Sequence, residues 1–287
     1  KRNLKECYEC PVGYHARKQE SGLKVWYDRC DGCPRGKFGI ITKARNVMEG
    51  CQNCTKGTYS ELEALSEAYD CKGCPKGKWS SDVGVTKESA CANCGTGKYG
   101  PADNDDGADN PESCKDCITG TFSEKVGAFG IVACHSCPSG FVQKEEGLAF
   151  CLPCTPGRFQ SAEGEADCID CRVGRSSSLV TRDTDCDACV AGRHQPESKM
   201  TACLKCIPGR YQKLTEQADC EVCEINTHAE DAEMTSCKEC VANTFTDQTD
   251  QETCKTCTLG QISQKGSASC SACPAGKAGT TSCIECL

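Results

Sequence analysis

The chain has little of what a globular core is made from. Only 40 of its 287 residues are Leu, Ile, Val or Phe, too little apolar surface by itself to offset the entropy of ordering a chain. No apolar run is long enough to span a membrane. The opening Lys1-Arg2-Asn3 does not resemble a secretory leader, so a mature chain, or the repeat portion of a longer one, is expected. Basic residues are outnumbered 33 to 41, giving a net charge of -8, and with no basic stripe nucleic acid is not an expected partner. The four histidines, His15, His135, His194 and His228, are dispersed without ligand spacing. No Ser–His–Asp order, paired carboxylates or phosphate loop stands out, so neither an enzyme nor a cofactor is expected.

What is present is cysteine. All 32 fall into sixteen Cys-x-x-Cys pairs, from Cys7/Cys10 to Cys283/Cys286. Cysteine at this density in an aliphatic-poor chain describes a disulfide scaffold in an oxidising compartment, secreted or on an extracellular surface. The spacers between pairs are 19, 17, 16, 16, 19, 16, 13, 13, 14, 13, 13, 13, 13, 12 and 9 residues. A unit repeated in this way is the signature of a quasi-one-dimensional protein. The spacers divide the chain into residues 1–136, with six longer repeats, and 137–287, with nine shorter and more uniform ones.

Within each unit the third residue after the second cysteine is Gly, except for Asn226 and Asn243. Gly with Asn as its substitute marks a backbone position of positive φ, often Pro-assisted, as in Cys33-Pro34-Arg35-Gly36. Two residues further on stands an aromatic: Phe38, Tyr59, Trp79, Tyr99, Phe122, Phe159, Tyr211 or Phe245, with His194 and His228 in two units. The reading adopted is that each ring packs over a disulfide as a miniature core. An aromatic ladder for stacking sugars or bases needs exposed rings, and nothing else in the sequence supports it. The flanking residues read as strands of three or four residues. Polar turns follow, with Gly164 or Gly266 at the tip in some units. Helical turns are expected from the Ser60-x-x-Glu63 capping box into Ala64–Ala68, and over Thr42–Met48.

Paired Cys-x-x-Cys spacing also describes zinc ribbons, but zinc sites consume pairs two by two and their spacers should alternate. These do not. Thioredoxin-type catalysis needs one reactive pair on a βαβ framework, which sixteen equivalent pairs lack. Structural disulfides remain. The regular scheme that makes every unit equivalent joins the second Cys of one pair to the first of the next. It gives Cys10–Cys30, Cys33–Cys51, Cys54–Cys71, Cys74–Cys91, Cys94–Cys114, Cys117–Cys134, Cys137–Cys151 and Cys154–Cys168. It continues as Cys171–Cys186, Cys189–Cys203, Cys206–Cys220, Cys223–Cys237, Cys240–Cys254, Cys257–Cys270 and Cys273–Cys283. Cys7 and Cys286 are left over, for bonds to neighbouring molecules or to cysteines beyond these residues.

The recurrent Cys-x-x-Cys-Pro-x-Gly-x-aromatic-Ser, clearest over Cys71–Ser80, resembles the ephrin-receptor-like cysteine-rich repeat of the growth-factor-receptor and tumour-necrosis-factor-receptor superfamily. The resemblance covers practically the whole chain. It implies small disulfide-rich repeats in an elongated extracellular rod with short strands and little other regular structure. The Cys-x-x-Cys-x-x-Cys core of tumour-necrosis-factor receptors does not occur, which weakens a cytokine-receptor reading. The ligand-binding domain and kinase of ephrin receptors are absent from these residues.

Two further sites are legible. Asp103, Asp105, Asp106 and Asp109 cluster oxygen donors around Gly107, suited to calcium, although Ala102 occupies the first ligand position of an EF-hand and a solvated turn is the plainer reading. Asn53-Cys54-Thr55 is a glycosylation sequon with a cysteine in its middle. The expected function is an extracellular structural rod, serving as stalk, coat component or filament protomer. Its expected partner is itself, head to tail or laterally, or another extracellular protein, with covalent glycans. The alternative is a receptor ectodomain binding through Trp26-Tyr27 or Phe129-Gly130-Ile131.

Overall fold

The computed structural model describes residues 9–21, 24–102, 107–279 and 282–285. Fifteen disulfides run in tandem from Cys10–Cys30 to Cys273–Cys283, each joining the second Cys of one pair to the first of the next, as in Cys54–Cys71 and Cys206–Cys220. Each bond closes one repeat, numbered here 1 to 15 in chain order. The fold is a series of small disulfide-closed repeats with short antiparallel strand pairs and almost no helix.

Repeat 3 shows how the local sequence builds the unit. After Cys54, the carbonyl of Thr55 accepts from the amide of Thr58, closing a turn whose third residue, Gly57, has φ of 76°. That is the type II turn, which requires positive φ at this place. The same place is left-handed at Asn226 and Asn243, with φ of 77° and 68°. Thr58–Tyr59 then pairs with Lys72–Gly73, the two residues between Cys71 and Cys74. The Cys-x-x-Cys spacing is therefore a strand: its two inner residues return along the turn before the next repeat begins.

Two sequence expectations need correction. Most strands hold two residues rather than three or four, because the next residue leaves the ladder and turns inward. The stretch after Ser60 is not helical: Ser60 Oγ accepts from the amide of Leu62 at 3.1 Å, and Ala64 is left-handed at φ 62°. A hydroxyl that bonds the backbone locally competes with helix. A 3₁₀ turn forms later, at Ala68–Asp70, where Glu67 and Asp70 make a reciprocal capping box. Likewise the helical turn near Thr42–Met48 begins late, at Val47–Gly50, with Asn46 accepting from the Glu49 amide at 3.0 Å after left-handed Lys43. Repeats 3 to 6 each carry one 3₁₀ turn just before the closing cysteine.

The residue that turns inward is the third after the Gly/Asn position, and it is polar in most repeats. Ser60, Ser80, Ser123, Gln143, Gln160, Ser177, Gln195, Gln212 and Thr246 are all buried there. The glutamines cross-brace their own loop. Gln195 accepts from the Glu197 amide at 3.1 Å and donates to the Ala202 carbonyl at 2.7 Å. Gln212 does the same with Leu214 and Asp219. A buried amide that satisfies two backbone groups is a specific cross-link where few apolar side chains exist. Gln195→Ala should cost about 1–3 kcal/mol, since both hydrogen bonds of the buried amide are lost. Hydrogen exchange of the Glu197 amide, sped up in the variant, checks this; an unchanged rate would refute the bracing role.

The chain packs as two compact units, one comprising Lys1–Cys137, Gln143–Leu152 and Gly164–Ala166, the other Pro138–Val142, Pro153–Glu163 and Asp167–Leu287. In the first, repeat 2 is fastened to repeat 3 by Gly36 N–H to Ser60 C=O at 3.0 Å and Cys54 N–H to Gly36 C=O at 2.8 Å. Gly84 N–H then reaches the Cys54 carbonyl from repeat 4 at 2.9 Å. In the second, Gly192 N–H bonds Gln212 C=O at 2.7 Å, Cys206 N–H bonds Gly192 C=O at 2.9 Å, and Glu233 N–H bonds Cys206 C=O at 2.9 Å. Within each unit, repeats thus bond their neighbours, and the first-turn glycine lies close against the outer turn of the repeat after next, as Gly36 does against Gly84 and Gly192 against Glu233.

Candidate functional site

The recurring feature with chemistry is the junction where a turn, a disulfide and an aromatic slot meet. The second cysteine of the pairs from Cys10 to Cys257 is buried, and Cys33, Cys54, Cys74, Cys117, Cys154 and Cys206 are at 0% exposure. Phe38 of repeat 2 clusters with Cys54 and Cys71, and Tyr59 of repeat 3 with Cys74 and Cys91. Each of these rings therefore packs on the disulfide of the next repeat. Trp79, Tyr99, Phe122, Phe159, Tyr211 and Phe245 occupy the same slot but remain half-buried.

In two repeats without a Phe, Tyr or Trp in the slot, the residue there faces a disulfide sulfur. Ser176 Oγ lies 3.4 Å from Cys203 Sγ, and His228 Nδ1 lies 3.1 Å from Cys254 Sγ. His228, Cys240 and Cys254 are the one convergence of His and Cys atoms among the described residues. Both sulfurs are consumed in the Cys240–Cys254 bond, so no thiolate is available to hold a metal there.

A second left-handed position lies on the outer turn of the loop in repeats 2 to 14, and glycine does not hold it throughout. Gly84, Gly127, Gly147, Gly164 and Gly266 share it with Lys43, Ala64, Thr181, Lys199, Glu216, Glu233 and Asp250. In the second unit the residues after the first turn's glycine reach these outer turns two repeats on. Arg175 of repeat 9 pairs with Glu216 of repeat 11, at 2.8 Å from Nε and 2.9 Å from Nη2. Arg193 pairs with Glu233, and Arg210 with Asp250 at 2.9 Å. Arg172 adds a further bond to Glu216 at 2.5 Å.

The hydrogen bond from Arg175, with Arg172 beside it, holds the Glu216 carboxyl below the usual carboxylate range. A depressed folded-state pKa contributes stability that is present above the unfolded value and lost as pH falls through the folded one. Carboxyl ¹³C NMR should show Glu216 titrating below the ordinary glutamate range, and Arg175→Gln should move it back up. An ordinary carboxylate value in the unsubstituted protein would refute the pairing.

The remaining sequence candidates are placed as follows. Asp103, Asp105 and Asp106 lie outside the described residues. Asp109 is exposed and its carboxylate accepts from Asn110 Nδ2 at 2.8 Å. Asn53 is half-buried in the strand opposite Lys37, and its Oδ1 accepts from Lys37 Nζ at 2.6 Å. Cys7 and Cys286 lie outside the described residues. Trp26 pairs with Gln19 in a long hairpin, Tyr14–Ser21 against Lys24–Gly32. Phe129 is exposed, with Lys76 Nζ 5.7 Å and Lys125 Nζ 6.0 Å from its ring centroid.

Sequence reasoning missed the buried Ser/Gln/Thr position and the ion-pair ladder. A signal for the first existed, since the third residue after the turn Gly/Asn is confined to Gly, Ala, Ser, Thr and Gln across all fifteen units. The ladder carried no such signal, because its partners lie about 40 residues apart, with a separation of 41 for Arg175 and Glu216.

Tandem disulfide closure with a turn, a strand pair and an aromatic slot in each unit defines a cysteine-rich, receptor-like extracellular module. Residues 209–251, spanning repeat 12 and parts of its neighbours, match the family described as tyrosine-protein kinase ephrin type A/B receptor-like. That match and the tandem disulfide-closed units support an ephrin-receptor-like cysteine-rich repeat protein. No curated protein matches it. Among the described residues no helix is long and apolar enough to cross a membrane.

Proposed function

We propose that the chain is the spacer of a secreted or surface-displayed protein, a covalently stapled rod acting as stalk, coat component or filament protomer, without catalytic activity. The observation that carries this reading is that each repeat closes on its own disulfide and is then bonded to the next through backbone groups. Such an array needs no central core and gains length simply by adding repeats. Small-angle scattering of the disulfide-intact protein tests it. A compact globule of this length has a radius of gyration of about 19 Å. The stalk requires at least about twice that, and a value near the compact one would refute it.

A receptor ectodomain is the second reading, favoured by one observation. The early repeats hold strongly exposed apolar side chains at their helical turns: Met48 at 95%, Tyr69 at 82% and Val132 at 84%. Side chains of this kind are available for a protein ligand to bury. Replacing all three by Ser would abolish capture of a protein ligand under this reading, and would leave the spacer function intact under the first.

A further inference from the structure

In the first unit, two consecutive aromatic slots do not close. Trp79 of repeat 4 and Tyr99 of repeat 5 line one open cleft of about 770 Å³, together with Cys114 of the Cys94–Cys114 disulfide. That volume falls in the range of small-ligand sites. Both rings are half-buried and sit on fixed backbone: Trp79 pairs with Ala92 and bridges Ala108, and Tyr99 pairs with Lys115. The cleft is thus preorganised, and its rings lose little freedom when a ligand arrives.

The polar rim is of mixed sign. Lys98 and Asp116 neutralise each other, with 2.5 Å between Nζ and Oδ1. Glu112, Lys115 and Glu146 also line the cleft, are exposed, and form no side-chain ion pair among the described residues. A strongly cationic ligand meets the two lysines, and a sulfated or phosphorylated one meets the carboxylates. A neutral polyhydroxyl ligand suits both. The apolar C–H face of a hexose ring lies against an indole or phenol ring, while its hydroxyls donate to carboxylates in charge-assisted bonds and accept from an ammonium.

We propose that this cleft binds a neutral oligosaccharide, with Trp79 and Tyr99 as stacking platforms and Glu112 and Glu146 as hydroxyl acceptors. The inference is independent of the spacer reading, because a glycan site operates equally on a stalk or a receptor. It gives the first unit a place to hold a glycoprotein, a polysaccharide or a glycan of a neighbouring copy.

The test is calorimetric titration of the disulfide-intact protein with neutral di- to tetrasaccharides of glucose, galactose, mannose and N-acetylglucosamine. A lysine-rich peptide and a sulfated oligosaccharide serve as competing ligand classes. Saturable binding to a neutral sugar is expected, weakened at least about tenfold by Trp79→Ala or Tyr99→Ala. Because Trp79 adjoins a disulfide, the paired variant Glu112→Gln/Glu146→Gln, confined to exposed side chains, provides the decisive measurement. It should keep the disulfide map and weaken binding by about tenfold, the difference between a charge-assisted and a neutral hydrogen bond. The proposal is overturned if no neutral sugar binds at about 10 mM, if the paired variant binds as the parent does, or if the peptide or the sulfated sugar binds more tightly than every neutral one.

Discussion

Reduced and alkylated in native buffer, without denaturant, the chain should lose its fold entirely. Its 40 Leu, Ile, Val and Phe residues are spread over 287 positions, and the largest buried hydrophobic clusters join a single ring and a single aliphatic residue to two half-cystines. The disulfide sulfurs are themselves the core. A closed loop of about 15 residues stabilises by roughly 3 kcal/mol in the chain-entropy model, and the bonds here join residues 10 to 20 apart. Removing such a term from every repeat leaves nothing comparable to hold each one, since the short strand pairs are marginal alone. Scattering should show the radius of gyration rising toward the roughly 60 Å of an unfolded chain of this length. Amide resonances should collapse to random-coil dispersion. A reduced protein that kept its resolved spectrum would show that the core has been misidentified.

Gly120→Ala should be among the most damaging single substitutions outside the cysteines, and Gly260→Ala a mild one. Both glycines occupy the same turn position, with φ of 75° and 84°, so both variants pay the left-handed penalty of roughly 1–2 kcal/mol. Their surroundings differ. A Cβ on Gly120 would lie 1.9 Å from the carbonyl oxygen of Gly164, two repeats on, whereas at Gly260 nothing lies within 4 Å. Overpacking against backbone adds about 1–3 kcal/mol, because a carbonyl in a bonded turn cannot swing away as a side chain can. The expected costs are thus roughly 2–5 kcal/mol at Gly120 and about 1–2 at Gly260. Native-state hydrogen exchange around each turn measures them. Equal effects would mean that the contact between alternate repeats carries no load.

The same comparison shows what kind of information each level of the molecule holds. Gly or Asn as the sole occupant of one position announces positive φ, because a Cβ penalty is a property of the residue's own backbone. The tandem disulfide-closed class is legible for a similar reason, being written in near-constant spacing along the chain. Residues 60–68 were not legible. A Ser-x-x-Glu pattern favours a helix only if the backbone is free to continue, and the outer turn at left-handed Ala64, whose amide bonds the Cys33 carbonyl, takes that freedom away. The candidate site was legible only in part: the aromatic spacing gave the slot, but exposure of Trp79 and Tyr99 depends on what the following repeats place over each ring.

The sequence by itself determined the unit: its covalent period, its left-handed turn, and the need for sulfur where aliphatic side chains are scarce. These follow from composition and from preferences that act within a few residues. Only the tertiary structure decided which glycines meet a carbonyl, which arginines meet an acid two repeats away, and which aromatic slots stay open. Those contacts arise from how one repeat is rotated and stacked against the next, and no local preference encodes that relation.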